Sequence, residues 1–117
     1  MLSVIKKGET VLYPKCKLAQ PFFSRFLGLM GRKYLSEEEA IVFPKCNSIH
    51  TFFMRIPIDV LFVSDSGEVV CRLEALQPWK WVLPIKGAKH TIEMAAKTAD
   101  KKQIRVGDKL SCSGVFG

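Results

Sequence analysis

Residues 59–73 read DVLFVSDSGEVVCRL, and this stretch decides the fold. It begins with the continuous apolar run 60–63, which is typical of an interior strand because both faces of such a strand are buried. Residues 64–67 are Ser, Asp, Ser and Gly, which are residue types that favour a tight turn. The return segment 68–73 again carries Val and Leu, so the stretch predicts a β-hairpin.

Segments with strand composition lie on both sides of this hairpin, and Gly and Pro separate them. Residues 79–85 contain Trp, Pro and Lys and predict a loop or an irregular edge. Because strands and helices do not alternate along the chain, the predicted fold is mainly β (α+β), a small barrel- or sandwich-like antiparallel sheet of about six or seven short strands. Besides the hairpin, we predict strands at 10–19, 40–43, 49–54, 90–95 and 109–112.

One segment has the spacing of an amphipathic helix. Between Gln20 and Met30, large apolar residues recur at intervals of three and four. Pro21 suits the first turn of such a helix, and Gly31 suits its end. We predict that this helix packs against one opening of the sheet.

Length and composition narrow the class of protein. The chain has 117 residues, of which 48% are hydrophobic and 25% are charged, so it can bury a core. These values predict one domain over residues 1–117. The apolar run before Lys6 is shorter than the roughly 7–15 residues of a signal-peptide core, and no run approaches the roughly 20 residues of a membrane span. We therefore expect a soluble cytoplasmic protein without a membrane partner.

The cysteines and histidines form no known metal or redox motif. Cys16, Cys46, Cys71 and Cys112 make no C-x-x-C pair, and the chain has only two histidines. We predict four reduced thiols, no metal and no cofactor. The sequence also lacks G-x-S-x-G, phosphate-loop and dinucleotide motifs, so no class of enzyme is indicated by a motif.

The net charge of +7, from 18 basic and 11 acidic side chains, favours contact with anionic partners. The basic residues are scattered along the chain, so a solvated surface is the simpler interpretation, and nucleic acid is not the favoured partner. Whether nucleic acid is a partner also depends on the role of Trp79, Lys80 and Trp81. The two rings could stack on bases or sugars, or they could cap the core between Pro78 and Pro84, and both interpretations stay open.

One histidine lies in an apolar segment. In an extended strand over 49–54, period two would place His50, Phe52 and Met54 on one face. A packed histidine and a catalytic histidine are both compatible with this position.

Asp59 precedes the interior strand, where a buried carboxylate must be paired or hydrogen-bonded. Arg25 or Arg32 could supply the partner charge. Alternatively, Asp59 could anchor a turn or accept hydrogen bonds from backbone N–H groups.

An ordered set of short motifs runs along the chain: Ser24-Arg25, 28–32, 50–55, 57–63, Gly67, 91–94 and 106–108. This set resembles the uncharacterised prokaryotic domain-of-unknown-function family 192 over about residues 10–113. Two positions depart from the family pattern, because Ile56 alone precedes Pro57 where the family has Asn-Thr, and Ala96 stands where it has glycine. The resemblance implies a small, mostly β single domain and no established activity.

The resemblance also implies one group of polar positions among apolar ones. A helix at the opening of the sheet could bring them into one cleft, which is the usual anatomy of a ligand site. The group consists of Arg25, Arg32, His50, Asp59 and Glu93, with Met30, Phe52 and Met54.

Three functions follow from these residues. The first is a binding module with a pocket at the helix–sheet junction, where Arg25 or Arg32 would meet a small or extended polar or anionic ligand. The alternative is a hydrolase with His50 as base, Asp59 as its orienter and Cys46 nearby in sequence. The third is a nucleic-acid binder that uses the basic surface with Trp79 and Trp81. The predicted pocket is lined by Met30, His50, Phe52, Met54 and Trp79.

Overall fold

The computed structural model describes residues 2–19, 34–52 and 54–117. The helix predicted between Gln20 and Met30 lies outside these ranges. The described elements, in chain order, are β1 (Leu2–Lys7), β2 (Thr10–Leu18), β3 (Glu39–Phe43), β4 (Ile49–His50), β5 (Ile58–Val63), β6 (Val69–Leu76), β7 (Trp81–Val82), β8 (His90–Ala95), α1 (Thr98–Lys101) and β9 (Ser111–Cys112).

Seven of these strands form one sheet in the order β6-β5-β8-β3-β2-β1-β9, and β4 pairs with β7 in a separate two-stranded sheet. Strands β2 and β3 run parallel, whereas the other neighbouring pairs of the large sheet are antiparallel. The mainly β prediction is confirmed, with one parallel pair inside a sheet that was expected to be antiparallel throughout.

The hairpin predicted at 59–73 is confirmed, because β5 pairs antiparallel with β6 and every residue of β5 is buried. The turn of this hairpin brings Gly67 against Leu110, which lies just before β9. Gly67 has φ +93°, and a Cβ built there would clash with the carbonyl oxygen of Leu110. Glycine is therefore required at this position by both the backbone conformation and the close approach.

Hydrogen bonds join the two ends of the strand order and curl the sheet into a barrel-like shape. The N–H of Val69 donates to the carbonyl of Asp108 at 2.8 Å, and that of Leu110 donates to the carbonyl of Gly67 at 2.9 Å. A bridge between Glu68 and Lys109 lies between these two bonds. The start of β6 thereby meets the segment that leads into β9.

The curled sheet buries apolar side chains on both faces. The inner face carries Leu61 and Met94 and is filled from β1, β9 and α1. The outer face carries Ile41 and Val60, and the small β4–β7 sheet packs on it through Ile49 and Val82. Two cores separated by one sheet explain why β5 has no polar face.

The strand predicted over 49–54 is wrong beyond His50. Residue Thr51 starts a turn in which the N–H of Met54 donates to the carbonyl of Thr51 at 3.1 Å, so the chain is not extended there. Residues 79–85, predicted as a loop or irregular edge, contain only the two-residue strand β7. The sequence did not predict β1 or α1. Within the described part of the chain, no helix is long and apolar enough to cross a membrane.

Candidate ligand-binding surface

The residues predicted for a ligand site fall into different environments. Arg25, Met30 and Arg32 lie outside the described residues. Of the others, Asp59, Glu93 and Met54 are buried, His50 and Phe52 are half-buried, and Trp79 is exposed.

Three of the predicted residues form an aromatic stack. The rings of His50 and Phe52 have centroids 5.0 Å apart with an interplanar angle of 26°. The rings of Phe52 and Trp79 follow at 6.0 Å and 29°. Trp81 lies directly opposite His50 in the β4–β7 pair, which places both side chains on the same face. We call these four residues, His50, Phe52, Trp79 and Trp81, the aromatic surface.

Thr51 fixes the loop that carries the two tryptophans. Its hydroxyl donates to the carbonyl of Gln77 at 2.7 Å and accepts from the N–H of Lys80 at 2.8 Å. Its backbone N–H donates to the carbonyl of Lys80 at 2.8 Å, and its carbonyl accepts from the N–H of Trp79 at 2.9 Å. Sequence reasoning missed this role, since a threonine in an apolar segment carries no signal of a contact 26 to 29 residues away.

The backbone of Trp79 is in the left-handed region, with φ +65°. This conformation is rare for a bulky residue and costs on the order of 1–3 kcal/mol. The side chain is nevertheless 60% exposed, and that of Trp81 is 70% exposed. The Thr51 hydrogen bonds therefore hold an unfavourable backbone conformation that presents two large rings to solvent.

The two segments that carry the aromatic surface have a positive net charge. The segments 44–58 and 77–92, which contain β4 and β7, have five basic residues and no acidic residue, against a net charge of +7 for the whole chain. We call them the basic segments. They are joined where the N–H of Ile85 donates to the carbonyl of Asn47 at 2.9 Å, and where the N–H of Lys45 donates to Nδ1 of His90 at 3.0 Å.

The five basic side chains of these segments are all exposed. None of them forms an ion pair within residues 2–19, 34–52 and 54–117. Elsewhere, by contrast, Lys101 pairs with Glu37 at 2.8 Å. The unpaired residues are Lys45, Arg55, Lys80, Lys86 and Lys89.

Asp59 has a structural role. It is fully buried, and its carboxylate accepts hydrogen bonds from the N–H of Ala75 at 2.8 Å, of Lys97 at 3.0 Å and of Ala99 at 3.0 Å. These bonds fix the end of β6 and the start of α1. None of them involves His50, so the geometry does not support a hydrolase in which Asp59 orients that histidine.

Glu93 lies on the other face of the sheet from Asp59. It pairs with Ile41 and Val60 on the outer face, whereas Asp59 lies opposite Met94 of the inner face. Glu93 is 6% exposed and has no hydrogen bond or ion pair in the described part of the chain. Burial raises the pKa of its carboxyl to about 8. The polar positions expected to share one cleft are therefore divided between two faces of the sheet.

Met54 does not join the aromatic surface. It is buried in the outer core with Ile49 and Val60, because the turn after Thr51 reverses the alternation expected for a strand. An open groove of about 300 Å³ lies elsewhere on the molecule, and none of the predicted site residues lines it. It is formed by Thr10, Val11, Leu12, Lys101, Lys102 and Gln103.

The described residues contain no group of three or more His, Cys, Asp or Glu arranged to hold a metal. All four cysteines lie in the described ranges, and no disulfide joins any two of them.

Comparison with solved structures shows that the fold is shared. A protein of unknown function from Novosphingobium aromaticivorans matches with a TM-score of 0.79 and 23% identity, covering 95% of this chain and 84% of that one. A structure from Sinorhizobium meliloti matches with a TM-score of 0.78 and 20% identity, covering 97% of this chain and 93% of that one. At these identities the likeness concerns the fold alone.

Two sequence relatives are UPF0127 proteins. A UPF0127 protein of Pyrococcus furiosus is 36% identical over 113 residues, which cover 94% of this chain and 95% of that protein. A UPF0127 protein of Thermococcus sibiricus is 37% identical over 103 residues, 82% of this chain and 64% of that protein. The model of the DUF192 family, described as "Uncharacterized ACR", matches residues 3–112. This match extends over nearly the whole chain, which therefore belongs to the DUF192 family.

Proposed function

We propose that this protein is a small binding module for an anionic ligand, which it holds at the aromatic surface. The observation that carries the proposal is the coincidence of two exposed tryptophans, Trp79 and Trp81, with the basic segments. Either feature alone is common on protein surfaces. Their occurrence on one hydrogen-bonded unit supports a site that combines ring contacts with cation contacts.

The basic side chains of the basic segments differ from several others in their neighbours. Several basic side chains elsewhere have acidic partners, as Lys7 has Asp108 at 2.8 Å and Arg72 has Asp100 at 3.4 Å. The basic segments have no acidic residue at all. Uncompensated cations on a small domain create a positive potential that attracts anions. An anionic ligand would supply the missing partners.

The exposure of the two tryptophans favours a role in binding over a role in stability. A folded chain gains most from a tryptophan that is buried, yet both rings are mostly exposed. Trp79 also keeps a costly backbone conformation. Since backbone strain concentrates at functional sites, the arrangement favours a surface preserved for a ligand.

A titration with short inorganic polyphosphate tests the proposal, because this probe offers negative charge without rings. Both tryptophans of the chain belong to the aromatic surface, so intrinsic fluorescence monitors that surface alone. We expect saturable binding at near-physiological salt. The double variant K80Q/K86Q should weaken it about tenfold or more, as expected for the loss of two close charge contacts.

The matched control is K6Q/K17Q, which removes the same charge from exposed lysines of β1 and β2. If the control weakens binding as much as K80Q/K86Q does, attraction by net charge alone explains the result. The proposed site would then be wrong.

A further inference from the structure

We infer that the anionic ligand is single-stranded nucleic acid, with bases stacked on Trp79 and Trp81 and phosphates bound by the basic segments. This inference rests on the proposed function and specifies its ligand. Sequence order alone made nucleic acid the less favoured partner because basic residues appeared scattered. In the structure, five basic residues without an ion pair in the described part of the chain lie on the two hydrogen-bonded segments that carry the tryptophans.

The Trp79 ring belongs to a stack of aromatic side chains. The rings of Phe52 and Trp79 stack with centroids 6.0 Å apart, and those of His50 and Phe52 stack at 5.0 Å, so the exposed Trp79 indole is already held in place by neighbouring rings. A ligand ring that adds to such a stack orders little of the protein, which lowers the cost of binding. Flat, hydrophobic ring faces are the feature that bases share regardless of sequence.

The two tryptophans are close together in the chain. Trp79 and Trp81 are two residues apart, so their Cα atoms are at most about 7 Å apart. Successive bases of a stacked strand rise about 3.4 Å. A single strand can unstack and extend so that one base lies on each indole, whereas a duplex keeps its bases paired and stacked.

The basic residues of the basic segments would contact the phosphates of the strand. Lys80 lies between the two tryptophans, and Lys86 and Lys89 follow on the same chain segment. The backbone N–H of Lys45 donates to Nδ1 of His90, which joins Lys45 to the segment that carries these lysines. With up to five phosphate contacts, the logarithm of affinity should fall with the logarithm of salt concentration with a slope of about −3.5. Between about 50 and 200 mM salt this amounts to roughly a hundredfold loss.

An oligothymidylate of about 12 nucleotides, within the range of ~4–16 that small β domains cover, is the probe that tests this inference. We expect tryptophan quenching and submicromolar affinity at near-physiological salt. W81A and W79A should each weaken binding by about 5-fold to about 150-fold, the range for loss of one stacked base. W81A is the safer variant, because Trp81 is 70% exposed and its loss leaves the core intact. The matched control is Y34A, since Tyr34 is 71% exposed outside the basic segments.

An abasic strand of equal length separates this inference from the proposed function. It retains the phosphates and lacks the bases, so it should bind at least about 25-fold more weakly than oligothymidylate if two bases stack. Equal binding of the two strands would overturn the nucleic-acid inference and leave the anionic site standing. Absence of binding to oligothymidylate, abasic strand and polyphosphate alike would overturn both.

Discussion

Asp59 and Glu93 are carboxylic acids on adjacent strands of one sheet, and they lie on opposite faces of it. Val60 pairs with Glu93, and Asp59 pairs with Met94, so the two acids differ by one step of the β pleat. Asp59 accepts three backbone N–H groups, whereas Glu93 has no hydrogen-bond partner in the described part of the chain. One acid therefore stabilises the fold, and the other costs stability.

Replacement of Asp59 by Ala should lower the free energy of unfolding by about 3 kcal/mol. The change leaves three N–H groups, of Ala75, Lys97 and Ala99, without their acceptor, and buried unsatisfied donors are costly. Urea denaturation measures the effect, with D65A at an exposed turn position as the control. A loss of less than about 0.5 kcal/mol, typical of surface substitutions, would contradict this role.

Replacement of Glu93 by Gln should raise stability near pH 8 by on the order of 4 kcal/mol. Burial raises the pKa of the Glu93 carboxyl in the folded protein from 4.5 to about 8. Between these values the unfolded chain has released the proton and the folded chain retains it, so stability falls as pH rises, by about 1.4 kcal/mol per unit. The E93Q variant should lack this fall in stability with rising pH.

Unfolding experiments between pH 5 and pH 8, on wild type, E93Q and the exposed control E68Q, measure the Glu93 effect. The difference in the free energy of unfolding between E93Q and wild type should grow across this pH range. The free energy of unfolding of E68Q should change with pH as that of the wild type does. A constant difference for E93Q would mean that Glu93 titrates normally in the folded protein.

Replacement of Thr51 by Val should destabilise the protein by about 1–3 kcal/mol and loosen the loop that carries the tryptophans. Valine keeps the shape but removes the hydroxyl that joins Gln77 and Lys80. We expect a red-shifted tryptophan emission and weaker binding of polyphosphate. T51S, which retains the hydroxyl, should restore both, and failure of serine to do so would show that the hydroxyl is not the important group.

Replacement of Gly67 by Ala should destabilise the protein more than the same change at Gly107. Both glycines have similar left-handed φ values, +93° and +97°, but only at Gly67 does a Cβ meet the backbone of Leu110. G107A therefore measures the backbone cost of roughly 1 kcal/mol, and G67A adds the clash that blocks sheet closure. Equal losses in thermal unfolding experiments would show that the barrel-like closure does not depend on close approach at Gly67.

The parts of the fold governed by local patterns were predictable. The apolar run 60–63, the turn 64–67 and the alternation in 90–95 all appear as expected, because interior strands and tight turns depend on residues close in sequence. Strand β1 has no such pattern. It forms because β2 and β9 pair with it from two sides, and the second of these lies more than 100 residues away.

The candidate surface was predictable only in part. The Trp-Lys-Trp segment and His50 were visible in the sequence, but the stack through Phe52 depends on a turn at Thr51 that the expected strand over 49–54 does not contain. The charge pattern was also hidden. Lys7, Arg72 and Lys101 have acidic partners in the structure, whereas the five basic residues of the basic segments have none in the described part of the chain. Only the fold shows this difference and the hydrogen bonds that join the two basic segments.

The most direct test of the proposed binding surface is an NMR titration that follows the two indole N–H signals, one from Trp79 and one from Trp81. With short polyphosphate or oligothymidylate added at near-physiological salt, we expect both signals to shift and to saturate together. The backbone signals of Lys80, Lys86 and Lys89 should move with them. If both indole signals stay fixed while signals from β1 and β2 shift, or if nothing shifts at all, the ligand does not bind at the aromatic surface.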